Sequence, residues 1–169
     1  MKQFKFLISI IIFWAASFVS AQEIFQLDSL QWNYQIPDGF EISESHDFFL
    51  TVLKPEEKHV NNLNVSYLLN PNIPKLTLEI YVFSLVDTFK KGYNTPDFSA
   101  DVQMERKKIN GQVFYLIRSH ILHQESNYQY VSDVYLAEIN GKEFNVTITY
   151  DNDDDKMKLE ESFFNSFFS

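Results

Sequence analysis

Tyr128-Gln-Tyr-Val-Ser-Asp-Val-Tyr-Leu-Ala-Glu-Ile-Asn-Gly-Lys-Glu-Phe-Asn-Val-Thr-Ile-Thr-Tyr150, followed by Asp151-Asn-Asp-Asp-Asp-Lys-Met-Lys-Leu-Glu-Glu-Ser-Phe-Phe-Asn-Ser-Phe-Phe168, decides the fold. Asn140-Gly141 is a strong two-residue hairpin signal, because a type I′ turn needs positive φ at both central positions and Asn and Gly tolerate it. It predicts strands over Tyr130 to Ile139 and Glu143 to Tyr150. The second alternates: Phe144, Val146, Ile148 and Tyr150 share one side, and Glu143, Asn145, Thr147 and Thr149 the other, the pattern of a half-buried antiparallel strand. A helix is expected from Asp155 to Phe168. Its apolar side would carry Met157, Leu159, Phe163, Phe164, Phe167 and Phe168. Each gains about 1.5–3 kcal/mol on full burial, so the helix should lie on the sheet of the strand before it.

Working outward, residues Met1 to Ala21 read as a secretory signal peptide. Lys2 and Lys5 precede the apolar run Leu7 to Val19, which ends in the small-residue site Val19-Ser20-Ala21. The run is shorter than the ~20 residues a spanning helix wants. The remainder, 22–169, is read as one domain, large enough for its own core. The chain has no cysteine, so an exported form holds together without disulfides. Loss of Lys2 and Lys5 takes the net charge from −9 to −11. Such acidity disfavours nucleic acid and anionic lipid, so neither nucleic acid nor, after cleavage, a membrane is an expected partner.

Gln22 to Gln31 carries no strong signal. Trp32-Asn-Tyr-Gln-Ile-Pro-Asp-Gly-Phe40 reads as a strand closed by a turn. Phe48 to Leu53 and Leu63 to Leu69 are short strands. Leu76 to Val86, apolar on both sides, reads as a central strand. Thr95-Pro96-Asp97 reads as a cap and first turn of a short helix over Pro96 to Val102. Gln103 to Ile109 and Gln112 to Leu122 flank Asn110-Gly111, a second hairpin of the same kind. The sum is α+β: a largely antiparallel sheet with a C-terminal helix and a short second helix packed on it.

Two stretches resemble the PsbP-like proteins. Trp32-x-Tyr-x-Ile-Pro-x-Gly-Phe40 is similar to that family's opening strand and Pro-x-Gly-aromatic turn. Asn140-Gly-Lys-Glu-Phe-Asn-Val-Thr-Ile-Thr-Tyr150, with the ending Ser162-Phe-Phe-Asn-Ser-Phe167, resembles its penultimate strand and last helix. The resemblance implies a helix-on-sheet fold and an exported accessory or binding role. No catalytic residue travels with it.

Chemistry-bearing residues are few. Asp151, Asp153 and Asp155 occupy positions 1, 3 and 5 of an EF-hand-like loop. Lys156 and Ser162 stand where that loop needs Gly and Glu. A weak divalent site is thus one reading, and a solvated turn capping the helix is the other. Strand register supplies the second place. Counting back from Asn140-Gly141, Asp133 opposes Ile148 and Tyr135 opposes Val146. With Leu122 opposite Gln129, Arg118 faces Asp133 on the side that carries Tyr135, and His120 lies two residues along. Arg118, His120, Asp133 and Tyr135 are therefore candidates for a polar anchor in a ligand groove, or for a cross-strand ion pair that only holds the sheet. No His-Glu-x-x-His, Gly-x-Ser-x-Gly or Gly-rich phosphate loop occurs, and no cofactor is expected. The expected function is an exported non-enzymatic accessory or binding domain for an unknown protein or small ligand. The alternatives are a small envelope enzyme around Arg118, His120 and Asp133, and an ion-binding domain using 151–155.

Overall fold

The ribbon around Asn140-Gly141 lies at the middle of the molecule. The computed structural model describes residues 24–27, 32–43, 48–55, 57–68 and 77–168. Strands β1 (Ile24–Leu27), β2 (Trp32–Gln35), β3 (Glu41–Ser43), β4 (Leu50–Lys54) and β5 (Glu57–Leu68) lead to helix α1 (Leu78–Tyr93). Four long strands follow: β6 (Phe98–Ile109), β7 (Gln112–His123), β8 (Tyr128–Ile139) and β9 (Lys142–Tyr150). Helix α2 (Asp153–Phe164) and β10 (Phe167–Phe168) complete the order. The signal-peptide segment 1–21 lies outside the described residues. One antiparallel sheet runs β3-β4-β5-β9-β8-β7-β6; a small second sheet places β2 between β1 and β10.

Both Asn-Gly pairs make the expected turns. Asn110 and Gly111 have φ of 49° and 84°, and Asn140 and Gly141 have 53° and 74°. These turns set Ile109 opposite Gln112 and Ile139 opposite Lys142, and everything upstream follows by counting. Pro37 to Phe40 forms the predicted turn, with Gly39 at φ 85° and the Phe40 N–H donating to the Pro37 carbonyl at 3.1 Å.

Helices cover opposite faces of the large sheet. On one face Leu159 and Phe163 of α2 pack with Phe114, Tyr135 and Phe144. The Phe163 ring stands edge-on, 5.6 Å from Phe114 and 5.0 Å from Tyr135. Trp32 of β2 joins this core 5.4 Å from Phe144. On the other face Val82 and Val86 of α1 pack on Val102, Ile117, Val134 and Leu136. The carboxyl end of α2 is fastened twice. Asn110 Nδ2 donates to the carbonyls of Phe164 and Ser166, each at 2.6 Å. Trp32 Nε1 donates to Ser166 Oγ at 2.7 Å, and that hydroxyl donates to the Phe163 carbonyl at 2.6 Å. Orphan carbonyls at a helix end are thus satisfied by a hairpin turn and a hydroxyl.

Four expectations require correction. The stretch read as a central strand over Leu76 to Val86 is helical from Leu78 onward. Leu78, Val82, Leu85, Val86 and Phe89 repeat with helical spacing against the sheet, and Thr77 caps the start by accepting from Ile80 N–H. The short helix over Pro96 to Val102 is instead a bend followed by β6, which pairs with β7 from Phe98 through Ile109. The closing helix stops at Phe164; the Phe167–Phe168 backbone pairs with β2, and Met157 points to solvent at 58% exposure. The featureless lead-in contains β1, paired with β2.

Candidate functional site

The predicted register places Arg118 opposite Asp133. Their contact is a two-pronged ion pair: Nε donates to Oδ1 at 2.7 Å and Nη2 to Oδ2 at 2.6 Å. Asp133 is fully buried. Tyr150 OH donates to its Oδ2 at 3.3 Å, and Glu160 of α2 approaches Arg118 Nη2 at 3.8 Å while accepting from Tyr135 OH at 2.8 Å. The core face thus carries a polar network beneath α2. Burial, then the Glu160 and Asp133 carboxylates, push the Tyr135 hydroxyl far above the ordinary phenol range. Burial and Asp133 do the same to Tyr150. The hydrogen bond from Arg118 to Asp133 drives the guanidinium still further from deprotonation. These hydroxyls stay protonated and act as donors, which is what the network requires.

Beyond this network, where α2 begins, the sheet is left open. A cleft of about 690 Å³ is lined there by Ser99, Asp101, His120, Gln129, Val131 and Tyr150, closed at one end by Asn152 and Asp153. That volume suits a small molecule or a few side chains. By strand alternation Ser99, Asp101, His120, Gln129, Val131 and Tyr150 project to the α2 side. His120 stands opposite Asp101 in register, is exposed, and makes no hydrogen bond among the described residues. Gln103 Nε2 braces Asp101 Oδ2 at 2.8 Å. Lys156 sits 5.4 Å from the centre of the Tyr150 ring. Of the four residues expected as one site, Arg118, Asp133 and Tyr135 are together under the helix, and His120 alone reaches the cleft.

The acidic loop is drawn apart. Asp151 accepts from Asn61 Nδ2 at 2.9 Å and from the Tyr128 hydroxyl. Asn61 is buried with φ 57° and receives the Asp151 N–H at 3.2 Å, tying β5 to the loop. Asp155 lies in the first turn of α2, 2.6 Å from Lys54 Nζ. Asn152, rather than an aspartate, caps the helix: its Oδ1 accepts from Asp155 N–H at 2.9 Å, and its Nδ2 donates back to Asp155 Oδ2 at 2.8 Å. Asp151, Asp153 and Asp155 therefore do not form one coordination sphere, and no three His, Asp or Glu converge for a metal among the described residues. The aspartates suit the helix amino end instead.

Burial opposes ionisation of both carboxyls, but their donors outweigh it. Tyr128, Asn61 and Asn152 hold Asp151 below the ordinary carboxylate range, and Lys54 and Asn152 do so for Asp155. Their stabilisation is full above the unfolded-state value and is lost as pH falls through the lower folded-state one. Stability is expected to stay flat down to about pH 4 and to fall below it. Tryptophan fluorescence across an acid titration checks this, and Lys54→Met should shrink the fall.

Sequence reasoning missed the cleft because it placed residues 96–102 in a helix. With β6 running from Phe98, Asp101 and Ser99 join His120 and Leu122 on one face.

A fold with an antiparallel sheet, a long helix on one face and a closing helix on the other defines an α+β class. The solution structure of the cyanobacterial PsbP, CyanoP, of Synechocystis sp. PCC 6803 matches it with a TM-score of 0.62. The match covers 90% of this chain and 96% of that one at 14% sequence identity. This chain has the PsbP-like fold. No family profile matches the sequence, and no curated protein does.

Proposed function

We propose that this protein is an exported, non-enzymatic binding or accessory domain whose ligand sits in the cleft at the amino end of α2. The observation that carries the reading is the cleft itself: a concave, half-polar opening next to a rigid sheet, with Gln129, His120 and Asp101 available to a ligand. Arg118 and Asp133, which an envelope enzyme would need in that opening, are spent on each other beneath α2. The signal-like segment Met1 to Ala21 supports export, and the PsbP-like fold is compatible with an accessory role.

The absence of cysteine makes a direct test available. Gln129→Cys, coupled to a photoreactive thiol reagent and irradiated with extract of the producing cell's envelope, is expected to give a discrete adduct. Glu79→Cys on the outer face of α1 is the comparison. Adducts at Glu79 and none at Gln129 would remove the cleft from consideration. Mass spectrometry of the envelope-fraction protein should find Gln22 at the amino terminus; an intact Met1 there would remove cleavage.

A further inference from the structure

β6 ends the seven-stranded sheet, and its outer edge is free of any strand among the described residues. It pairs with β7 over twelve residues without a register shift. Flanking a two-residue turn, Ile109 and Gln112 form a hydrogen-bonded pair, and such pairs alternate up the ladder. Odd-numbered residues of β6 thus turn their N–H and C=O toward β7. Phe98, Ala100, Val102, Met104, Arg106 and Lys108 turn theirs outward. Phe98 agrees with this parity: its N–H donates to Thr95 Oγ1 at 3.2 Å and its carbonyl accepts from Thr95 N–H at 3.0 Å. From Ala100 to Lys108 the outward groups have no strand to bond among the described residues.

Natural edges are blunted by bulges, proline or charge. β6 has no bulge and no proline; its charges are Asp101, Glu105, Arg106, Lys107 and Lys108. Read against a second, antiparallel β6 these charges select one register. With Met104 at the centre, Lys107 of each copy stands opposite Asp101 of the other, on the cleft side. Glu105 then meets Gln103, Arg106 meets Val102, and Lys108 meets Ala100. Every outward N–H and C=O from Ala100 to Lys108 has a partner.

The neighbouring registers each fail. Centring on Gln103 opposes Asp101 and Glu105 twice. Centring on Glu105 opposes two Glu105 carboxylates, and centring on Arg106 opposes two guanidinium groups. Centring on Val102 runs into Phe98, whose groups Thr95 holds. Like charges directly opposite are destabilising and opposite charges are favourable.

We propose that β6 is a homodimer interface, two copies joining their sheets edge to edge about Met104 with reciprocal Asp101–Lys107 pairs. The twofold axis is perpendicular to the sheet, so the two α1 helices, which pack on β6, come side by side on one face. α1 carries Ile80 and Phe83, each 53% exposed. On the other face the second copy's Lys107 arrives at Asp101, and so at the wall of each cleft.

Sedimentation of the protein over a concentration series is expected to show twice the monomer mass at the upper end. Asp101→Lys and Lys107→Asp should each weaken self-association at least about tenfold, since each sets like charges opposite one another twice. Mixing the two variants should restore a dimer, because every pair is then of opposite sign. Met104→Cys should form an intermolecular disulfide on oxidation, as Cα atoms of a hydrogen-bonded antiparallel pair lie about 5.5 Å apart. A protein that stays monomeric throughout would overturn the proposal. So would a dimer that neither single variant weakens, or a mixture of the variants that does not associate.

Discussion

Phe163→Ala is expected to cost the fold about 3–5 kcal/mol, the range for deleting a buried aromatic ring from a close-packed core. Phe163 is 1% exposed and meets the rings of Phe114, Tyr135 and Phe164 at 5.0–5.6 Å. Its neighbours cannot collapse into the space. Tyr135 is held by strand pairing on both sides and Phe114 by its pairing with Lys107, and the end of α2 is held by Asn110 and Trp32. Urea unfolding followed by tryptophan fluorescence measures the loss, because Trp32 shares this core. A cost below about 1 kcal/mol would mean that α2 does not hold the sheet.

Arg118→Ala should cost about 3 kcal/mol, for a different reason. The substitution leaves the fully buried Asp133 with the Tyr150 hydroxyl as its remaining donor. A buried carboxylate stripped of its cation is strongly destabilising, whereas an apolar pair of similar volume is often tolerated. Arg118→Met combined with Asp133→Leu should therefore recover most of the loss. The thermal midpoint should fall by roughly 10 °C for the single variant and by much less for the double one. The adduct at Gln129→Cys should persist in the Arg118→Ala background. An unchanged midpoint with loss of that adduct would instead make Arg118 a ligand anchor.

The Arg118–Asp133 contact was legible in the sequence because turn length fixes register and register fixes parity. Setting Leu122 opposite Gln129 was enough to bring two residues fifteen apart into contact. The same arithmetic lost the cleft, since Thr95-Pro96 imitates a helix start and hid the first residues of β6. Leu76 to Val86 misled for another reason. A short run apolar on both sides fits a buried strand and a buried helix alike, and only its ends distinguish them. Those ends were present: Thr77 as cap, Glu79 in the first turn, Lys90 and Lys91 in the last. Glu160 lies outside the apolar stripe of α2, yet it reaches Tyr135, because a long side chain at the border of such a stripe can turn inward.

The order in which the pieces of the core arrive has a consequence for how this chain comes into being. β2, which supplies Trp32, precedes the large sheet in chain order, and its partner β10 follows it. Until α2 and Ser166 are made, the α2 face of the large sheet lacks Leu159 and Phe163, and the indole lacks its hydroxyl. Closure of this core therefore waits on residues 153–166, which bring Leu159, Phe163 and the Ser166 hydroxyl to strands made much earlier.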